Sequence, residues 1–398
     1  MQEMGADTTA DYIPEKVPFF NDPAKRSILF QLGTMLILVL LGYYLIANTM
    51  ANLERQSIAT GLGFLEKESS FEIGESLISY SAADTYARAL LVGVINTLIV
   101  SFIGVILTVI LGTVIGVARL SANLLVSRMA AVYIEVFQDI PVLLQLFFWY
   151  AIFYELLPSP RQALGPVTGV FLSNRGLVFA VPLSHPAHKY MALALLCGCV
   201  LVYLLRRWAR KRQEITGKVF PVLRVSLGIL IGLPVITWWL AGAPTAMDVP
   251  VLAGFNFKGG VNISPEFSAL LLGLVLYTAA FVAEAVRAGI QSVSKGQTEA
   301  AMSMGLKSGQ VLNLVILPQA LRVIIPPLTN QMLSLTKNSS LAVAIGYPDF
   351  VSVAGTTINQ TGQAMEGIAM MMVVYLFFSL TTSAFMNWYN KKTALVER

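Results

Sequence analysis

Charged side chains are scarce in this sequence: Asp, Glu, Lys and Arg make up 12% of 398 residues, whereas hydrophobic residues make up 56%. This composition indicates a membrane-embedded chain rather than a large soluble core with a charged surface. The 27 Lys and Arg exceed the 22 Asp and Glu and give a formal net charge of +5. In a membrane protein such an excess first indicates cytoplasmic loops that follow the positive-inside rule, so no nucleic-acid partner is expected.

Cysteine and histidine are also rare, with two of each. Cys197 and Cys199 lie two residues apart in one apolar stretch, where they point to different faces of a helix and cannot bridge to each other. We expect them to be buried small hydrophobic residues. His185 and His188 have a spacing that metal ligands can use, but no third ligand is near, which favours surface histidines and predicts no metal site.

The sequence contains no nucleotide-binding loop of the form G-x-x-x-x-G-K-[ST]. It also contains no paired catalytic groups on a soluble domain. We therefore expect no enzymatic chemistry and no cofactor in this chain.

Apolar stretches divide the chain at regular intervals, and a helix of about 20 residues crosses a bilayer. We interpret these stretches as about eight transmembrane helices of an all-α polytopic membrane protein. They cover residues 27–47, 89–118, 129–157, 190–205, 222–241, 267–286, 323–345 and 368–385. The first is preceded by Lys25 and Arg26 and followed by no small-residue cleavage site, which favours a membrane anchor over a signal peptide.

The charges between these stretches predict an orientation. Residues 48–88 carry six acidic and three basic residues, as expected outside the cell, whereas the basic run within residues 206–218 is the strongest cytoplasmic marker. An even number of spans then leaves both termini in the cytoplasm. Residues 158–189 and 242–266 would lie outside, and we expect the hairpin between them to pack through Gly228 and Gly232. Gly112 and Gly116 either admit a neighbouring helix or face lipid.

A short polar island begins at Glu299, between the sixth and seventh spans. Its sequence is Glu299-Ala300-Ala301-Met302-Ser303-Met304-Gly305, and Val315-Ile316-Leu317-Pro318 follows nine residues later. Thr298 can cap a helix that Gly305 ends, because glycine adopts the left-handed conformation of a helix C-terminus without strain. Ser308 can cap a second helix, which Pro318 would break or bend. The first helix is too short to be stable alone, and Ala300, Ala301 and Met304 would form its docking face.

This island resembles the coupling loop of ABC importer permeases, in which Glu-Ala-Ala is followed by glycine and then by Ile-x-Leu-Pro. The alternative is an ordinary amphipathic cytoplasmic loop. The resemblance implies that the loop docks on an ATP-binding subunit, and it assigns that contact to a set of six residues: Glu299, Ala300, Ala301, Gly305, Leu317 and Pro318. ATP and Mg would be bound by that partner chain.

Further motifs resemble the polar amino-acid uptake family, and most closely the extra-helix subunit of its general L-amino-acid importers. They are Gly93-Val94-Ile95-Asn96-Thr97-Leu98, Tyr277 to Glu284 with Arg287 to Gln291, Pro318 to Arg322 and Lys337 to Leu341. The resemblance implies a five-helix type I importer core in a bacterial inner (plasma) membrane. It implies partners of four kinds: a second homologous permease, two ATP-binding subunits, a periplasmic amino-acid-binding protein and an amino-acid substrate.

The resemblance, combined with the apolar pattern, predicts six regions. They are a cytoplasmic segment 1–26, an extra helix and periplasmic segment 27–88, core residues 89–157, an inserted hairpin 158–266, core residues 267–390 with coupling loop 292–322, and a cytoplasmic tail 391–398.

Polar groups inside spans are costly and tend to face a bundle interior or an aqueous path. For the ammonium group of an amino acid, the candidates are Glu284 and Asp139. For its carboxylate they are Lys337, Asn338 and Ser339. A salt bridge from Glu284 to Arg287, one turn away, is the simpler alternative for Glu284.

The segment Phe137-Gln138-Asp139-Ile140-Pro141 departs from the family, which usually has arginine at the position of Gln138. This change either alters the charge preference of the path or lies in a vestibule without effect. Two other classes of protein remain open. A secondary, ion-coupled transporter usually has an internal repeat, which is not evident here, and a purely structural membrane subunit would not need a docking loop.

Overall fold

The computed structural model describes residues 23–55 and 60–393. Most of the expected cytoplasmic segment, residues 1–22, and the end of the expected tail, residues 394–398, lie outside this range. The described chain is largely α-helical, as expected. Its helices are α1 (Pro23–Arg55), α2 (Tyr86–Arg119), α3 (Leu124–Asp139), α4 (Val142–Ala151), α5 (Pro186–Thr216), α6 (Val222–Leu240), α7 (Pro265–Gln291), α8 (Lys295–Ser303), α9 (Ser308–Val311), α10 (Leu317–Asn338), α11 (Phe350–Thr361) and α12 (Ala364–Thr393).

Seven helices of the described chain are long and apolar enough to cross a membrane, and there are eight if one bent pair counts as a single span. That pair corrects the prediction of a continuous span over residues 129–157. Instead α3 ends at Asp139, α4 begins at Val142, and the two are bent by 103°. The break follows from Pro141, which lacks an N–H group and restricts the residue before it to extended conformations.

The membrane core is organised around the contact between α2 and α7. An added Cβ at Gly112 would lie 2.6 Å from Cβ of Val282, and one at Gly116 would lie 2.6 Å from the carbonyl oxygen of Ala283. These two glycines therefore admit α7 and do not face lipid. Nearer the start of α7, a cluster of buried residues that includes Val100, Leu274 and Leu335 joins α2, α7 and α10.

The loops on either side of α5 and α6 contain short strands, which the sequence interpretation missed. They are β1 (Leu164–Val167), β2 (Val170–Ser173), β3 (Gly176–Phe179), β4 (Val181–Pro182), β5 (Met247–Asp248), β6 (Val251–Ala253), β7 (Asn256–Lys258) and β8 (Val261–Ile263). Strands β1, β2, β3 and β8 form one antiparallel sheet in that order. Because β3 pairs with β8, the two loops are joined into one structure at the same end of the hairpin.

Helices α5 and α6 pack against each other as the expected hairpin, but not through the expected residues. Among the described residues, no atom lies within 4 Å of an added Cβ at Gly228 or Gly232, whereas Gly198 faces the side chains of Ile229 and Leu230. The prediction of a Gly228 and Gly232 contact is therefore wrong. Larger apolar side chains of α6 fill the space against Gly198.

The two cysteines of α5, Cys197 and Cys199, are exposed. The expectation that both are buried is therefore wrong for this chain, because α5 packs on α6 along a single face and leaves the rest of its surface open. Helix α1 is likewise exposed along its apolar length.

Candidate functional site

The first helix of the polar island is longer than the sequence suggested. Helix α8 begins at Lys295, after Ser294 as N-cap, so Thr298 lies inside the helix and does not cap it. The additional turn forms because the N–H of Gln297 donates to the carbonyl of Ser294 at 3.1 Å, which starts the helix without a side-chain cap. Glu299 therefore lies at the fifth helical position and is exposed.

The exposed face of α8 differs in one residue from the predicted docking face. Ala300 and Met304 are exposed, and Met304 is 83% exposed, whereas Ala301 is 5% exposed. Because helix positions four apart lie on one face, Ala300 and Met304 form one outward surface. Ala301 points to the other side, towards the chain that follows, where α8 contacts α9.

Gly305 ends α8 as predicted, with φ of +81°. The N–H of Gly305 donates to the carbonyl of Met302 at 2.9 Å, and the N–H of Leu306 donates to the carbonyl of Ala301 at 3.3 Å. These two bonds form a Schellman motif, which satisfies carbonyls that the helix end would leave free. Among the described residues, no atom lies within 4 Å of an added Cβ at Gly305, so crowding does not exclude a side chain here. Glycine is required because the backbone is left-handed.

The second half of the loop is continuous with the seventh span. Lys307 precedes α9 and donates its backbone N–H to the side chain of Gln310 at 2.9 Å, so Ser308 is the first helical residue and does not cap the helix. A π-helical turn over Leu312–Ile316 then leads directly into α10, in which Leu317 is exposed and Pro318 is half-buried.

Pro318 does not break the helix, which corrects the expectation of an interruption there. The N–H of Leu317 donates to the carbonyl of Leu312, five residues earlier, so the wide turn absorbs the missing donor of proline. The apolar helix that contains the seventh span therefore begins at Ser308 and not near residue 323.

Beneath the loop, α7 and α10 are in close contact. Val282, Val286, Ala320 and Ile324 form a buried cluster. An added Cβ at Gly289 would lie 2.3 Å from the side chain of Ile324. The two ends of the loop thus emerge from one tightly packed pair of helices.

Glu284 forms an ion pair with Arg287. The Nε of Arg287 donates to a carboxylate oxygen of Glu284 at 2.9 Å, and an Nη of the same guanidinium contacts the other oxygen. The simpler of the two roles considered for Glu284 is therefore the one that this conformation adopts.

The bend between α3 and α4 lies against the middle of α7. Tyr133 donates its hydroxyl to the carbonyl of Leu276 at 2.8 Å, and Gln138 donates its amide to the carbonyl of Ala280 at 3.3 Å. Gln138 is thus attached to α7, whereas the neighbouring Asp139 is exposed. The buried Gln145 holds the bend by donating to the carbonyls of Phe137 and Ile140 at 3.0 and 2.9 Å.

The candidate carboxylate-binding residues lie at the C-terminal end of α10 and directly after it, and they divide into two kinds. Ser339 is fully buried and donates its hydroxyl to the carbonyl of Thr336 at 2.8 Å. Lys337 is exposed and Asn338 is partly exposed. Leu335, which precedes Lys337 by two residues, belongs to the same buried cluster as Leu274 of α7.

The structure does not bring Asp139 and Lys337 to one level. Gln138 contacts α7 at Ala280, whereas Leu335 packs at Leu274 and Leu270. At 1.5 Å per residue these positions differ by roughly 10 to 15 Å along α7.

An acidic pocket at the opposite end of the core was not predicted from the sequence. It has a volume of about 400 Å³ and is lined by Glu72, Glu75 and Glu266 among others. Burial raises the pKa of the Glu75 carboxyl, although the N–H of Ser264 donates to it at 3.1 Å. The acidic character of residues 48–88 was evident, but not their contact with the start of α7, because that contact joins positions almost 190 residues apart.

Next to this pocket Asp349 caps α11, a helix that the sequence interpretation also missed. The carboxylate of Asp349 accepts from the N–H of Ser352 at 2.9 Å, and burial raises its pKa to about 6. Asn96 of α2 donates to the carbonyl of Pro348 at 2.9 Å, which attaches this turn to the core.

Comparison with known proteins identifies relatives over almost the whole chain. Residues 104–395 match the family described as binding-protein-dependent transport system inner membrane component. The chain is 48% identical over 377 residues to the general L-amino acid transport system permease protein AapQ of Rhizobium johnstonii, a match that covers 95% of this chain and 94% of that protein.

Two further relatives have similar coverage. The putative amino-acid ABC transporter permease protein YhdX of Escherichia coli strain K12 is 48% identical over 95% of this chain and 97% of its own length. The glutamate/glutamine/aspartate/asparagine transport system permease protein BztB of Rhodobacter capsulatus is 41% identical, over 95% of this chain and 96% of its own length.

Proposed function

This chain belongs to the family of binding-protein-dependent transport system inner membrane components, and from that premise we propose that it conducts amino acids across a bacterial inner membrane. It is a multi-pass permease subunit of an ABC importer. The names of three relatives that match almost its full length support amino acids as the substrate class, and the first supports a broad range of L-amino acids. Membership of this family also favours the importer over an ion-coupled secondary transporter.

The main support for this mechanism is the exposed face of α8, which lies next to the tightly packed ends of α7 and α10. Ala300, Met304 and the carboxylate of Glu299 are open to a partner, which we propose is an ATP-binding subunit that holds ATP and Mg. Hydrolysis then takes place in that separate chain. The Schellman turn at Gly305 and the close contact of Gly289 with Ile324 restrict independent movement of α8, α7 and α10. A displacement of α8 is therefore transmitted to α7 and α10.

The remaining partners follow from symmetry. Each permease offers one docking loop, and we propose a second, homologous permease and two ATP-binding subunits around a pseudo-twofold axis. The exposed Lys337 and Asp139 would then face the interface of the two permeases.

We assign Lys337 with Asn338 to the substrate carboxylate and Asp139 to its ammonium group, as successive contacts along the path, since they lie at different levels. Glu284 holds Arg287, and Ser339 and Gln138 orient helices, so these three act on the path indirectly. A periplasmic binding protein would deliver the substrate at the end of the core that holds the acidic pocket.

The proposed topology places both termini and the loop 292–322 in the cytoplasm, and the strands β1–β8 outside. The basic residues from 206 to 218 and the acidic balance of residues 48–88 support this orientation. Residues 89–157 and 267–390 would be the permease core, with 27–88 and 158–266 as additions to it.

Uptake into proteoliposomes tests the function. The purified complex should accumulate labelled L-amino acids when binding protein is outside and ATP inside, and ion gradients alone should not drive uptake. Glu299→Ala should reduce uptake per ATP hydrolysed, whereas Glu214→Ala, which removes another exposed carboxylate far from the loop, should not. Uptake driven by an ion gradient without ATP would overturn the proposal.

A further inference from the structure

The turn between α5 and α6 carries a dense positive charge that amino-acid transport does not require. Residues 206–224 contain seven cationic side chains and one acidic side chain, Glu214. The cations are Arg206, Arg207, Arg210, Lys211, Arg212, Lys218 and Arg224.

Two of these cations line a pocket. It has a volume of about 260 Å³, and its walls include Arg206, Arg210 and Gln213 of α5, together with Phe220 and Val222. The three polar residues are spaced by four and three positions, so they lie on one face of α5. Val222 is the first residue of α6, and no side chain caps the N-terminus of that helix. The pocket thus gathers two guanidinium groups, an amide and the positive end of a helix.

The guanidinium groups in this pocket are available to a ligand. Within the part of the chain that the structure describes, neither Arg206 nor Arg210 forms an ion pair or a side-chain hydrogen bond. Arg212, by contrast, lies 5.3 Å from the ring centre of Trp208 and 5.8 Å from that of Phe220. The stacking of Arg212 holds Phe220 in the wall of the pocket. Arg206 and Arg210 remain to face the pocket.

The position of the pocket along α5 indicates the chemistry of the ligand. Arg206 directly follows the apolar stretch 190–205, so it lies where the hydrocarbon region ends. Trp208 is half-exposed in the same turn, and tryptophan is enriched at the level of lipid headgroups. A phosphate at this depth belongs to a lipid whose acyl chains can lie along the exposed apolar surface of the hairpin.

We propose that this pocket binds the phosphate of an anionic phospholipid headgroup. Arg206 and Arg210 contact the phosphate oxygens, and Gln213 donates to the headgroup. Basic pockets between membrane helices are suited to such headgroups, because they combine charge with an apolar surface for the acyl chains. The bound lipid would hold the α5–α6 hairpin at a fixed depth.

Native mass spectrometry of the full complex tests this site by titration with phosphatidylglycerol and, separately, phosphatidylcholine. Arg206→Gln with Arg210→Gln should weaken phosphatidylglycerol binding by about 5- to 30-fold, because each substitution removes a charge-assisted hydrogen bond to the phosphate. The matched control is Arg207→Gln with Lys211→Gln, which removes the same charge from the same turns but not from the pocket. It should change binding by less than about twofold, because these two exposed cations do not line the pocket and are screened by salt.

A charge-retaining variant and a competition experiment distinguish a lipid site from a site for free phosphate. Arg206→Lys with Arg210→Lys retains the charge and should keep the preference for phosphatidylglycerol over phosphatidylcholine. An excess of inorganic phosphate should not displace the lipid, because the acyl chains contribute to binding. Equal losses in the pocket and control variants, no preference between the two lipids, or displacement by inorganic phosphate would each overturn the proposal.

Discussion

At position 305 the conformation of the backbone, rather than the space around it, requires glycine. Gly305→Ala should strain the left-handed turn by about 1 kcal/mol, or about fivefold in its population, and lower uptake per ATP hydrolysed. Gly309→Ala is the matched control, since Gly309 lies in α9 with open space around it and a negative φ. Uptake and ATPase assays on the same proteoliposomes measure both variants. Equal coupling in the two would contradict the role assigned to the turn.

The buried carboxyl group of Asp349 should make the stability of the folded protein depend on pH. Burial raises its pKa from the usual 3.8 to about 6, so the folded protein binds this proton more tightly than the unfolded chain does. The free energy of unfolding should therefore fall as pH rises from about 4 to about 6, by at most about 3 kcal/mol, and change little above that.

Asp349→Asn keeps an oxygen that can cap α11 and removes this titration. Melting temperatures from pH 4 to 7 should fall more steeply for the natural protein than for the variant. Glu75 titrates in the same direction in both proteins, so the difference between the two curves isolates Asp349. Parallel curves would contradict the assignment.

The sequence predicted residues whose role is local and missed those whose partners are distant. Gly305 was predicted to end a helix, because glycine at such a position has one common use. Thr298 was misplaced by one turn, since several residues near a helix start can serve as its beginning. The contact of Glu75 with Ser264 could not be inferred, because no local pattern joins them.

The bend between α3 and α4 depends on one buried side chain. Gln145→Met keeps the approximate size of the side chain but removes the donors to the carbonyls of Phe137 and Ile140. Removing a hydrogen bond from each of these partly buried carbonyls costs roughly 1 kcal/mol, so the melting temperature should fall. Gln297→Met, on the exposed surface of α8, is the control and should melt like the natural protein. An unchanged melting temperature for Gln145→Met would show that Pro141 alone maintains the bend.

Most spans could be predicted because an apolar run of sufficient length is a local property of the chain. The broken third span could not, because hydropathy does not distinguish a straight helix from two bent ones. The pairing of β3 with β8 was also missed, since these strands are separated by the entire α5–α6 hairpin and each has at most four residues.

For the molecule as a whole, cysteine labelling tests the proposed orientation. In a background of Cys197→Ala and Cys199→Ala, a membrane-impermeant reagent should label Asn256→Cys in intact spheroplasts. It should label Gln213→Cys only after the membrane is opened, because the two positions lie at opposite ends of the hairpin. The reverse pattern would invert the topology and place the loop 292–322 outside.

Site-specific photo-crosslinking can show whether α8 docks on an ATP-binding subunit. A photoreactive phenylalanine analogue in place of Met304, which is 83% exposed, should capture the ATP-binding subunit in membranes that contain the whole complex. The same analogue in place of Phe255, which is 78% exposed between β6 and β7, should not capture it. Capture from position 255 but not from position 304 would contradict the account.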